Sequence, residues 1–221
     1  MRLATPLIGH VIEFNENKVS TLVIENQTCF YRLMMDLTMQ AEGYEGDAVL
    51  SKDDCPIQFP KNAEIIQTFT PFTVNRKSLL TKICAAIEKE GLNESNFLRT
   101  EELLAQIERY IDDLSFGLPC SITFDKLNIS SIIKSVGVVI EENEDEPIER
   151  IISYMELVSE LESDKLFIFV NMRSYFADDK MNLFIKSATA HKHRIMLLDC
   201  NARAMLDGEQ RWTVDEDWCE I

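Results

Sequence analysis

Residue types that mark common active sites are scarce in this chain. Only seven of its 221 residues are glycine, and none of them opens a G-x-x-x-x-G-K-[ST] run. The backbone cradle that surrounds nucleotide phosphates is therefore missing. Residues 21–24 read as a strand that passes through Glu25 into a helix start at Asn26 with no glycine-rich turn between them. The six cysteines (Cys29, Cys55, Cys84, Cys120, Cys200 and Cys219) contain no C-x-x-C pair. That pattern argues against structural zinc and for reduced thiols. No apolar run approaches the length that spans a bilayer, and residues 1–10 hold no long apolar signal region. No membrane and a cytoplasmic location are the expectations. Positive charge is also short: 22 Lys and Arg stand against 38 Asp and Glu, a formal net charge of −16 and a pI near 4.6.

Such acidity excludes a uniformly basic nucleic-acid binder, yet the charge is uneven. Residues 141–164 hold ten acids and a single Arg150. Residues 76–89 hold Arg76, Lys77, Lys82 and Lys89 against Glu88 alone. Residues 173–203 hold Arg173, Lys180, Lys186, Lys192, Arg194 and Arg203 against Asp178, Asp179 and Asp199. Local potential rather than net charge attracts a phosphate backbone. Ordinary solvated helix faces are the competing reading of the same runs.

Periodicity gives an α/β layout. Residues 7–14, 21–24, 47–50 and 64–69 read as strands, and Asn26 as the cap of a helix burying Phe30, Leu33, Met34 and Leu37. Residues 52–56 and 60–62 read as turns. The middle third changes character. Asn75 is the expected cap of a helix ending at Gly91, and Ser95 starts a longer helix with Leu103, Leu104, Ile107, Tyr110, Ile111 and Leu114 on one stripe. The short connection predicts an antiparallel pair, read as a projecting arm that meets a partner subunit. Asp125 is the expected cap of a third helix ending at Gly137. Strand–helix alternation then resumes, with strands at 138–141, 166–171, 195–198 and 211–214. Pro147 opens one intervening helix and Asp178 the other. Unbroken apolar strands between helices predict a parallel sheet covered on both faces. The expected division is an α/β head at 1–70 and 137–221 with an inserted helical arm at 71–136.

Catalytic groupings are weak. The apolar strand 166–170 ends in Asn171, where a Walker B strand supplies an aspartate for Mg²⁺. His191 and His193 could clamp a metal from alternate positions, but no further ligands converge in the sequence, and a solvated basic turn at a helix C-terminus is the favoured reading. The acid pairs Asp112–Asp113 and Asp145–Glu146 could serve metal-assisted phosphodiester cleavage, or be ordinary surface acids. No G-x-S-x-G elbow is present.

Several segments together resemble the type II-A CRISPR-associated ring-forming adaptation protein family. Residues 128–141, with Ile132, Ile133, Lys134, Ser135, Val136 and Gly137, are similar to that family's leucine-isoleucine-lysine-serine-leucine-glycine helix end. The strand Leu166, Phe167, Ile168, Phe169, Val170 and Asn171 resembles its leucine-leucine-isoleucine-phenylalanine-valine-asparagine strand. Residues 72–88 and 213–218 resemble its valine-asparagine helix and its acidic-aromatic close. The resemblance implies a P-loop-like α/β head without Walker A, a helical leg and no nucleotide. It also implies a homotetrameric ring holding double-stranded DNA ends during spacer acquisition, beside the CRISPR integrase and the effector nuclease. Combined with the basic runs, it makes Arg76, Lys77, Lys82, Lys134, Lys186, Lys192 and Arg194 the candidate DNA contacts. It further implies Ca²⁺ before the helix that carries Lys134. Only Asp125 is acidic there, with Ser121 and Thr123 in places where carboxylates are expected. A diverged metal-dependent nuclease or nucleotidase, and a protein-interaction scaffold, remain open beside the non-enzymatic DNA clamp.

Overall fold

The computed structural model describes residues 1–120, 122–123, 125–162 and 165–221. In chain order its elements are β1 (Arg2–Ala4), β2 (Ile12–Glu13), β3 (Val19–Ile24), α1 (Gln27–Ala41), β4 (Val49–Lys52), β5 (Cys55–Pro56), α2 (Phe59–Asn62) and β6 (Ala63–Ile66). The helices α3 (Lys77–Gly91), α4 (Phe97–Ser115) and α5 (Ile129–Val136) follow. The chain closes with α6 (Pro147–Leu161), β7 (Leu166–Val170), a short 3-10 turn, α7 (Asp178–Ala190), β8 (Arg194–Asp199) and β9 (Glu209–Val214). These elements form two compact units, Met1–Thr73 with Glu144–Ile221, and Val74–Asn143.

The first unit is built on a parallel sheet in the order β6-β7-β8-β3-β9. Every residue of β7 and β3 is buried, which requires cover on both faces. On one face Cys29, Leu33 and Leu37 of α1 meet Leu22, Ile24, Ile168 and Leu198. Leu3, Ile12 and Leu50 of an antiparallel sheet, ordered β2-β1-β4-β5, join the same core. On the other face Phe169 takes the edge of Phe184 from α7 at 5.2 Å, and α6 buries Ile151, Met155 and Val158. Each such side chain contributes roughly 1.5–3 kcal/mol through its burial. The expected α/β class, the capping of α1 by Asn26 (Cys29 N–H to Oδ1, 2.9 Å) and the buried stripe of α7 are all observed.

Some local expectations fail for identifiable reasons. The expected strand 7–14 pairs only at Ile12–Glu13. Upstream, Thr5 draws the chain into a turn by accepting the N–H groups of Leu7 and Ile8. The expected turn at 60–62 is a one-turn helix, because Pro60 lies in its first turn, where no N–H is needed.

In the second unit α3 packs chiefly against α5. Its cap is Arg76, not Asn75. The Asn75 side chain accepts from Ile140 N–H at 2.7 Å, and its amide donates to Ile140 O and Glu142 Oε1, both at 3.0 Å. Residues 138–141 accordingly form no strand: a side chain, not a neighbouring strand, satisfies Ile140. Gly91 stays inside α3, and the cap that follows is Leu92 at an ordinary negative φ. The longer helix begins after Asn96 rather than at Ser95. Asn128, not Asp125, caps α5 by accepting from Ser131 N–H at 2.8 Å. Gly137 does stop α5, at φ 72°, a conformation that favours glycine. The expected buried stripe of α4 is largely exposed: Leu104 and Thr100 are its only buried residues among those described.

Polar groups at the end of the first unit's core are paired around one guanidinium. Arg173 donates to Asp178 Oδ1 at 3.0 Å and Ala204 O at 2.9 Å, and lies 3.4 Å from Glu209 Oε1. Glu209 also accepts from Arg211 at 2.9 Å and from Leu206 N–H at 3.0 Å. Asp199 lies buried beside this cluster. Burial pushes its carboxyl up from 3.8 to about 6, with Arg173 opposing the shift and Glu209 adding to it. A carboxyl raised in the folded state binds its proton more tightly there. Its stabilising contribution is thus complete below pH ~4 and lost as pH rises through about 6. A shift of this size corresponds to an order of 3 kcal/mol. Asp199→Asn should therefore gain stability over the unmodified protein by about that amount at pH 7.5, with the gain vanishing near pH 4. Urea denaturation at the two pH values checks this, and an equal difference at both would refute the account.

Candidate nucleic-acid interface

In open α/β sheets ligands sit beyond the carboxyl ends of the strands, where the connections change direction. Here that place lies between β3 and β8. It holds a cavity of about 430 Å³ lined by Ile24, Glu25, Gln27, Phe30, Cys200, Asn201 and Glu216. Two carboxylates face a space where a phosphate would need donors. The Asn26 side chain caps α1 itself and donates to Glu216 O at 2.7 Å. At the Walker B position Asn171 takes a left-handed turn at φ 53°, and its Oδ1 accepts from Cys200 N–H at 2.9 Å. This residue ties β7 to the end of β8 instead of facing a cation.

A different site forms in the second unit. Packing of α3 on α5 leaves a groove of about 480 Å³ lined by Lys77, Leu80, Cys84, Ala85 and Glu88 on one side and Ser130 and Lys134 on the other, with Asn75 at its end. Lys77 stands in the first turn of α3 and Lys134 in the last turn of α5, and both are exposed. The fold thus brings together two of the candidate cations that lie far apart in sequence. Arg76 and Lys82 lie on the same helix, half-buried. The second unit has eight Lys and Arg against eleven Asp and Glu, so only −3 of the total −16 belongs to it.

The other three candidates belong to the first unit. Lys186 is exposed on α7, and Lys192 is exposed in the following turn at φ 59°. Arg194 is mostly buried and donates to Glu16 at 2.9 Å, so its guanidinium is occupied. His193 departs from the solvated turn expected of it. Its ring is buried at the edge of Phe167, 3.2 Å from Ser159 Oγ, and burial with the neighbouring His191 lowers its pKa to about 4. It is neutral at pH 7 and adds no cationic charge to Lys192. His191 reaches Glu156 at 3.4 Å.

The acidic residues do not assemble into a metal centre: among the described residues no three His, Cys, Asp or Glu side chains converge on a metal position. Glu146 is paired with Lys180 at 3.0 Å, and Asp112 and Asp113 are exposed near the end of α4. Asp125 is exposed three residues before the α5 cap. Ser121 lies outside the described residues. One carboxylate does not fit the six to eight oxygens that Ca²⁺ takes, and no step is assigned to that ion.

The family described as CRISPR-associated protein (Cas_Csn2) matches residues 40–218. Among solved structures the chain is similar to Stu0660 of Streptococcus thermophilus, with a TM-score of 0.56 and 12% identity over 91% of this chain and 69% of that one. At that identity the likeness speaks for the fold alone.

Asn75 is the residue the sequence hides best, because a helix-capping reading accounts for it locally. Its three hydrogen bonds hold the return segment against the start of α3, at the end of the lysine groove. Asn75→Ala should cost about 2–3 kcal/mol at roughly 1 kcal/mol per bond. Faster hydrogen exchange at the Ile140 amide is the local readout, and unchanged protection there would show that the clamp is not what holds the segment.

Proposed function

The chain belongs to the CRISPR-associated Csn2 family, and from that premise we propose that it acts in spacer acquisition as a non-enzymatic ring protein that holds double-stranded DNA without reading its sequence. The observation that carries this reading is the groove between α3 and α5. There Lys77 and Lys134 converge on the less acidic unit, with no ion-pair partner for either among the described residues. Two ammonium groups on the rim of one groove suit phosphates, which are bound through charge and position rather than base identity. Lys186 and Lys192 provide a second exposed pair. Arg194, held by Glu16, contributes to local structure instead.

The acid-lined cavity at the sheet's carboxyl end supports a head that binds no nucleotide. The lack of convergent metal ligands among the described residues weighs against a nuclease. Among those residues no helix is long and apolar enough to cross a membrane. The setting proposed is cytoplasmic, with the CRISPR integrase and effector nuclease as partners in the pathway.

Gel shift and fluorescence anisotropy on blunt duplexes of unrelated sequence test the proposal. Affinity should be equal across sequences and fall steeply with salt. Lys77→Ala with Lys134→Ala should weaken it and flatten the plot of log K against log salt by about 0.9 for each phosphate that the variant no longer neutralises. An unchanged slope would place the DNA elsewhere, and cleavage or ATP turnover by the purified protein would overturn the non-enzymatic reading.

A further inference from the structure

A cavity of about 640 Å³ lies at the carboxyl end of α1, with Gln40, Tyr44, Glu45, Ile57, Phe59 and Lys61 in its lining. Gln40 is 8% exposed, yet only one half of its amide is satisfied. Its Nε2 donates to Asp36 Oδ1 at 3.1 Å and to Ala48 O at 2.9 Å. Two acceptors on one nitrogen fix the orientation of the amide. Oε1 is left as an acceptor with no partner among the described residues. The following loop is tied to the same pair. Asp36 also accepts the Asp47 N–H at 2.9 Å and the Ala48 N–H at 2.7 Å. A Cβ at Gly46 would collide with Asp36 Oδ1 and the Gln40 side chain, so the loop closes this tightly only on glycine. The acceptor is therefore held in place before any ligand arrives. Phe59 is buried and Ile57 half-buried beside it, while Tyr44 is exposed.

We propose that this cavity takes the indole ring of a tryptophan in a partner protein, with the indole N–H donated to Gln40 Oε1. A lone acceptor among apolar side chains suits a ligand that is apolar over most of its area and donates once. Indole does so and accepts nothing, whereas a phenol brings lone pairs for which the occupied Gln40 Nε2 has no donor to spare. A chain segment, rather than a free small molecule, follows from the surface beside the cavity. Tyr31, Met35 and Met39 are 64%, 45% and 37% exposed at four-residue spacing on α1, and the Tyr44 N–H donates to Met39 O. They form an apolar track from the cavity along the helix to a second cavity of about 590 Å³ that includes Tyr31, Met35 and Asp47. A free ring would leave that track bare, and adaptable methionines suit a packed segment. The inference does not depend on the DNA reading.

The test is NMR titration of the full chain with N-acetyl-tryptophanamide. Saturable shifts should appear at Gly43, Tyr44, Gly46 and the Gln40 side-chain amide. The benzothienylalanine counterpart keeps the shape of the ring and lacks the N–H. It should bind at least about fivefold more weakly, because Oε1 is then covered without a donor. Tyr44→Ala alters an exposed side chain and should weaken binding by about threefold with the melting temperature unchanged. Capped peptides with apolar residues on both sides of the tryptophan should bind more tightly than the single residue and shift Met35 and Met39 as well. Equal affinity for the two rings would overturn the role of Gln40, and absence of saturable shifts at these residues would overturn the site. Free tryptophan binding more tightly than the capped peptides, with Glu45 and Lys61 holding its charged ends, would overturn the choice of a protein segment.

Discussion

Burial of the parallel sheet on both faces is the constraint from which most of this structure follows. Five strands with β7 and β3 wholly buried cannot exist without α1 and the antiparallel sheet on one side and α6 and α7 on the other. Polar groups at the sheet's end must then be satisfied within the protein. Asn171 accepts the Cys200 amide, and Arg173 gathers Glu209, Asp178 and the Ala204 carbonyl. Beyond the carboxyl ends of parallel strands, open α/β sheets commonly hold a ligand. Here the cavity at that end is lined by Glu25 and Glu216, while Asn26 is used as the cap of α1. The topology persists because burial demands it, while the chemistry of its carboxyl edge is free to change.

The same separation explains how so acidic a chain can present a groove rimmed by lysines. Most of the excess charge belongs to the first unit, in solvated positions such as the acid-rich start of α6 and the last residues of the chain. At physiological ionic strength, charges more than about 8 Å apart are largely screened when solvent lies between them. A ligand in the α3–α5 groove responds mainly to the residues lining it, two lysines against Glu88. Net charge still acts at longer range. It opposes non-specific adhesion to polyanions.

Elements whose periodicity reports a core were legible in the sequence. The all-apolar run at 166–170 and the stripe Met181, Phe184, Ile185 and Ala188 point where they pack. Elements set by distant partners were not. Asn75 satisfies every local criterion for a cap, but the backbone of Ile140 offers it better hydrogen bonds, and nothing near position 75 announces that. Asp125 and Asn128 both suit a helix start, and the choice falls on Asn128, whose side chain reaches the Ser131 amide. The convergence of Lys77 with Lys134 depends on α3 packing against α5, which neither segment encodes alone.

Helix α4 shows why an apolar stripe does not by itself reveal what covers it. The periodicity that marks it as amphipathic is the same whether the stripe meets its own unit or another molecule. A helix of this kind draws most of its stability from tertiary packing rather than propensity, and α4 has only Thr100 and Leu104 buried. Covering its apolar face would therefore stabilise the helix, by the mass action that links any bound partner to folding. The lysine groove is formed by α3 and α5, which pack together without α4 supplying any of its lining.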